Sequence, residues 1–164
     1  MRKTLFRIAS AFLLCAVLIF TSGCRADADV RDILAAALGS QTSLPDGTVY
    51  STYEDAEHRL DGELAAVIWG NGAAHPAYAL TGAAAVFLPT RRLPFEMAVL
   101  ECISTDSASD VALMCCERAD TVARAWGEEK SNYSVIVCGR YVIAVFCADP
   151  AAAQSAAEAR IRKG

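Results

Sequence analysis

Histidine is nearly missing from this chain: there are two, His58 and His75, in 164 residues. Neither lies in an H-E-x-x-H spacing or beside paired cysteines, so the sequence offers no ligand set for zinc. No C-x-x-C is present for thiol–disulfide chemistry, no G-x-S-x-G for a hydrolase elbow, and no G-x-x-x-x-G-K-[ST] for a nucleotide phosphate loop. Acidic residues are absent before Asp27. An apolar run of spanning length is also lacking: residues 8–20, interrupted only by Ser10, make 13 residues, whereas a membrane-crossing helix needs about 20.

The N-terminus holds a basic Arg2, Lys3 and Arg7, the short apolar run, and then the small residues Thr21-Ser22-Gly23 before Cys24. A basic stretch, a short apolar stretch and a small-residue end form a secretory signal. Thr21-Ser22-Gly23-Cys24 resembles the lipobox of bacterial lipoproteins, with Thr21 standing where leucine is usual. The resemblance implies a diacylglyceryl group on the Cys24 sulfur, cleavage between Gly23 and Cys24, and a lipid-anchored domain on the extracytoplasmic face of the cell membrane. Two acyl chains at about 0.8 kcal/mol per buried methylene hold a domain on a bilayer without a spanning helix. Ordinary signal cleavage nearby and an uncleaved anchor are the alternatives. The expected organisation is a signal peptide at 1–23, a lipidated tether at 24–27 and one domain at 28–164.

Cleavage removes Arg2, Lys3 and Arg7 from fifteen basic residues, leaving twelve against nineteen acidic ones, a net charge near −7. An acidic domain argues against nucleic acid as a partner. Five cysteines remain past the anchor: Cys102, Cys115, Cys116, Cys138 and Cys147. The count is odd, the adjacent pair falls mid-helix, and the others sit in apolar strand-like runs, which favours buried free thiols over a disulfide framework.

Helical spacing marks residues 28–38, with Asp27 or Asp29 as cap and Gly39 as stop. Residues 40–51 read as loop, with Pro45-Asp46-Gly47 as a turn. Residues 61–69 form a short helix closed by Gly70-Asn71-Gly72. Residues 78–88 and 95–103 are strand candidates joined by Pro89-Thr90-Arg91-Arg92-Leu93-Pro94. A long helix follows, capped by Ser104, Thr105 or Asp106 and stopped by Gly127, with Ala108, Val111, Ala112, Cys115, Ala119, Val122 and Trp126 on one face. Residues 133–138 and 141–147 flank Gly139-Arg140, a two-residue loop that predicts a type II′ hairpin pairing Cys138 with Tyr141 and Val137 with Val142. Both faces of that hairpin are apolar and need cover, one from the long helix and the other from the early helices, the last helix or a second subunit. Asp149 and Pro150 open the final helix. These elements predict an α+β domain: a small, mostly antiparallel four-stranded sheet in a β-β-α-β-β-α core, preceded by one or two N-terminal helices.

The lipobox cysteine, the Leu/Ala helix ending at Trp69-Gly70 and the run VCGRYVIAVFCADPAAA together resemble small lipoproteins of a domain-of-unknown-function family from clostridia-like Gram-positive bacteria. The resemblance covers most of residues 28–162. It implies an α+β domain on a lipid anchor and carries no catalytic residues, cofactor or metal with it.

Three functions are compatible with these readings. The first is a non-catalytic module binding another envelope protein or a second copy. The second is a small-ligand or solute-capture lipoprotein, and the third, an envelope enzyme, has no constellation to rest on. Glu54, Asp55, Glu57, Asp61 and Glu63 cluster in sequence but lack a calcium-loop spacing and read as solvated helix surface. Arg91-Arg92 is the one basic spot on the domain, suited to an anionic wall polymer, a headgroup or plain solvation.

Overall fold

The computed structural model describes residues 28–127 and 133–164. The signal at 1–23, the Gly23–Cys24 cleavage position, the Cys24 lipidation site and the tether at 24–27 lie outside the described residues. Among the described residues no helix is long and apolar enough to cross a membrane.

Helix α1, Val30–Gly39, begins where Asp29 turns its carboxylate onto the Arg31 amide at 2.8 Å. Burial alone would raise the Asp29 carboxyl, but the hydrogen bonds and charge of Arg31 outweigh it and hold the group below the usual carboxylate range. Val30, Ile33, Leu34, Ala37 and Leu38 repeat at helical spacing and are all buried. Strand β1, Gly47–Ser51, and helix α2, Gly62–Trp69, follow. A 3-10 turn, Pro76–Leu80, leads into strand β2, Thr81–Pro89, and strand β3, Glu96–Cys102. Helix α3, Ala108–Trp126, ends at Gly127. Strands β4, Tyr133–Cys138, and β5, Tyr141–Phe146, precede helix α4, Pro150–Lys163.

The sheet has five strands in the order β1-β2-β3-β5-β4, and every neighbouring pair is antiparallel. The domain is therefore α+β, and the expected four strands are corrected to five. Residues 47–51, expected as loop, are the fifth strand. Thr48, Val49 and Tyr50 are strand formers, but only Ser51 of the five is fully buried, so no apolar alternation marks them. A second correction concerns residues 78–80, expected to begin the strand, which instead complete the 3-10 turn that Pro76 opens. A third is the cap of α3. It is Ser107, which donates from its hydroxyl to the Ser104 carbonyl at 2.9 Å and makes no side-chain bond into the helix.

The β4–β5 register is the expected one, Cys138 opposite Tyr141 and Val137 opposite Val142. Gly139 has φ 61 and Arg140 is not left-handed, which is the type II′ combination. Both sheet faces are covered. Ala85, Phe87, Met97, Val99, Ile143 and Val145 lie under α1 and α4, while Val86, Ala98, Leu100 and Val142 lie under α2 and α3 with Val111 and Met114. Successive residues of one strand thus enter opposite cores, as the two-residue period requires. On α3 the buried stripe is Ala108, Val111, Met114, Cys115, Ala119 and Ala123, rotated slightly from the face expected.

The two sheet edges differ. Beside β1 the chain folds back: Ser51 donates to the His58 carbonyl at 3.1 Å and accepts from the Leu60 amide at 2.8 Å. Beside β4 no described strand or loop lies, and Val137 is 50% exposed. At the entry to the domain, the buried Tyr141 hydroxyl donates to the Ala28 carbonyl at 3.0 Å, tying the first described residue to the start of β5.

Candidate functional site

The end of α2 sets the geometry of an open depression on the α3 side. Asp61 caps the helix by accepting from the Leu64 amide at 2.8 Å. At Gly70 the chain doubles back so tightly that a Cβ would lie 1.5 Å from the Ala73 carbonyl oxygen, and only glycine fits. The Gly70 and Gly72 amides both donate to the Ala66 carbonyl. Gly70-Asn71-Gly72 therefore closes a helix C-terminus, the negative end of its dipole, and is the wrong end of a helix for cradling phosphate.

The reversed chain delivers His75 to α3. Its Nδ1 accepts from the Ala77 amide at 3.1 Å, so Nδ1 is unprotonated and Nε2 carries the hydrogen directed at Glu117 Oε2, 3.3 Å away. Both ring nitrogens are engaged, which leaves neither for proton abstraction or metal ligation in this geometry. Trp69 stacks on Tyr78 with centroids 5.4 Å apart. Burial pushes the Tyr78 hydroxyl up, helped by the Asp61 charge. Between α2 and α3, Trp69, Asn71, His75, Glu117, Arg118 and Thr121 border an open depression of about 350 Å³.

His58 stands elsewhere, tilted against Tyr50 and 3.9 Å from the exposed Glu57 carboxylate. The five clustered acids are dispersed: Asp55 pairs with Arg31 at 3.0 Å and Asp61 caps α2. No three of His, Cys, Asp and Glu gather around a common point among the described residues.

Cys102, Cys115, Cys116, Cys138 and Cys147 are all free thiols, and Cys102, Cys115 and Cys147 are buried. Burial raises the thiols of Cys102, Cys115 and Cys116, and that of Cys147 to about 11. A thiol held protonated is a poor nucleophile. Iodoacetamide at pH 8 is therefore expected to leave Cys102, Cys115 and Cys147 unlabelled in the folded chain and to label these five cysteines of the domain after urea unfolding, located by peptide mapping. Prompt labelling of Cys115 in folded protein would mean that α3 is not seated as described. The same burial fixes a pH dependence. The folded-state value of Cys147 lies above its ordinary 9, so its contribution is whole below pH 9 and is lost as pH rises toward about 11.

A well-sheltered ion pair on this face joins α3 to the sheet. Arg118 Nε donates to the Glu96 carboxylate at 3.2 Å and Nη2 donates at 2.7 Å, with the Glu96 side chain only 12% exposed. Beyond this pair, beneath the β2–β3 connection, lies a second cleft of about 230 Å³ that includes Arg91, Arg92 and Arg118. Sequence periodicity passed over Arg118 because it falls on the flank of the apolar stripe, between buried Cys115 and Ala119. That flanking position, within reach of the sheet, was the signal available. No protein-family model matches this chain, and neither a curated protein nor a solved structure shows significant similarity to it.

Proposed function

We propose that the chain is a membrane-anchored extracytoplasmic lipoprotein, held through a lipid on Cys24, and that its domain works by binding as a protein-binding or assembly module of the cell envelope. The observation that carries this reading is the order of residues 2–24: three cations, a 13-residue apolar run, and Thr21-Ser22-Gly23 before a cysteine. The chemistry of the described residues supports binding over catalysis. His75 has both nitrogens occupied, the buried thiols are protonated, and the larger depression is open and of mixed polarity. A second copy or another envelope protein is the partner class, because the β4 edge and its half-exposed Val137 are left open among the described residues.

On this reading the anchor also orients the domain. Four tether residues span at most about 14 Å. The Ala28 carbonyl is held by Tyr141, so the end of the sheet carrying Tyr141 and Glu101 faces the membrane. The β2–β3 connection, near Phe146, lies at the far end of the strands, about 17 Å further out at the rise of a six-residue strand.

Expression of the wild type and Cys24→Ala, followed by intact mass and detergent phase partitioning, tests the anchor. The wild type is expected to lose residues 1–23, gain a diacylglycerol mass and enter the detergent phase, while Cys24→Ala does neither. Release of both chains in unlipidated form would overturn the reading, with Thr21 as the residue that defeats the lipobox.

A further inference from the structure

We propose that the cleft beneath the β2–β3 connection is a binding site for the phosphate groups of an anionic ligand, held by Arg91, Arg92 and Arg118. The loop presenting the first two is pinned. Pro89 and Pro94 bracket it, the Thr90 amide donates to the Asp46 carbonyl at 2.8 Å, and the Phe95 amide donates to the Leu93 carbonyl at 2.8 Å. Phe95 is buried with its ring edge-on to Phe87, centroids 5.6 Å apart. Two fixed φ angles and an anchored aromatic hold the arginine pair over the cleft at little entropic cost on binding.

Among the described residues four arginines, Arg59, Arg91, Arg92 and Arg124, pair with no carboxylate, and of these Arg91 and Arg92 share one cleft. Arg31, Arg118, Arg140, Arg160 and Arg162 each pair with a carboxylate. Arg91 and Arg92 are exposed and have no acidic partner among the described residues, although the domain carries an excess of acid. Arg118 spends Nε and Nη2 on Glu96, which neutralises that carboxylate. Its Nη1 has no partner among the described residues. The cleft therefore carries two uncompensated positive charges and a third, partly used guanidinium. Its floor is apolar, from Leu88, Phe95 and Val122.

Phosphate fits this set better than carboxylate. One planar guanidinium fork already satisfies one carboxylate edge, as Arg118 does with Glu96. Two free forks and the remaining Nη1 of Arg118 around one space need an acceptor with oxygens pointing in several directions, which a tetrahedral phosphate has. The volume of about 230 Å³ admits a phosphate with its first substituents, since a water takes about 30 Å³. The phosphate could come from a soluble phosphodiester polymer or from a lipid headgroup. The position of the cleft at the end of the strands away from Ala28 favours the polymer, a choice that rests on the anchored reading. The cleft itself does not rest on it.

The test is calorimetric titration of the purified full chain with inorganic phosphate, with a synthetic glycerol phosphate oligomer, and with citrate as a carboxylate control. A separate arm measures Cys24→Ala binding to anionic and neutral phospholipid vesicles, which removes any acyl-driven association. The oligomer is expected to bind, more weakly as salt rises, and to lose at least tenfold in affinity in the Arg91→Gln/Arg92→Gln variant. Both side chains are exposed, so that variant should melt like the wild type, and a matched thermal melt verifies it. Vesicle binding alone, lost in the same double variant, assigns the phosphate to headgroups. Absence of binding to every phosphate probe, equal binding by wild type and variant, or citrate binding as well as the oligomer would overturn the proposal. Its failure is distinct from failure of the anchor, which the mass of the wild type reports.

Discussion

Ile143→Ala is expected to lower the unfolding free energy by about 3–4 kcal/mol, the usual loss for a buried isoleucine in a site that cannot collapse. Ile143 sits in β5 between its partners Val99 on β3 and Ile136 on β4, and is fully buried. Above it lie α1 and α4, and these are held in place independently. Arg160 on α4 reaches Asp32 on α1 at 2.6 Å, and the Tyr141 hydroxyl holds the Ala28 carbonyl ahead of α1. With the strands fixed on both sides and the helices fixed above, little can move in to fill the space left by the missing methylenes. The loss is a large part of the 5–15 kcal/mol that typically separates folded from unfolded domains. Urea unfolding checks it: the midpoint should fall with the slope unchanged. Val137→Ala, on the half-exposed edge strand, should cost well under about 1 kcal/mol in the same assay. Equal losses at the two positions would mean that the α1–α4 layer does not close over β5.

Removing Arg118 is the second large effect. Arg118→Met is expected to cost about 3 kcal/mol, because it strands the Glu96 carboxylate with 12% of its side chain exposed and no replacement for the two-pronged bond. The diagnostic result is the double variant. Arg118→Met together with Glu96→Leu removes both charges, and most of the lost stability should return. A thermodynamic cycle over the wild type, the two single variants and the double variant isolates the coupling. Additive single losses would show that Arg118 acts by packing its stem over Val122 and the sheet rather than through the carboxylate.

Much of this architecture is legible in the sequence where one physical rule dominates. The β4–β5 hairpin follows from Gly139 alone, since a left-handed residue at the first loop position sets the turn and hence every cross-strand pair. Helix α4 follows from Asp149 and Pro150, whose carboxylate and fixed φ do what they do in any helix start: Asp149 accepts from the Ala152 amide at 2.9 Å. Strand β1 is a different case. Its exposure alternates over residues 47–50, but Thr48 takes a more buried place and Val49 an exposed one, so the residue types show no apolar alternation, and it is a strand because β2 pairs with it along its length. Residues 78–80 were likewise misleading because their apolar run continues into β2 without a break, while the 3-10 turn is set by Pro76 two residues earlier. Of the clefts, Arg91-Arg92 was visible as an isolated basic pair. Arg118 and Glu96, 22 residues apart in the chain, meet only through the crossing of α3 over the start of β3, which no local pattern encodes.

The unequal edges of the sheet limit how copies of this chain can associate. The chain itself covers the flank of β1 at Ser51, through His58 and Leu60, while β4 is open along its length among the described residues. Among the described residues β4 is thus the less obstructed edge for strand addition. A second copy laid antiparallel on β4 would consume the open edge of both partners under one two-fold axis. Nothing would remain on β4 for a third, so association through that edge alone closes at a pair.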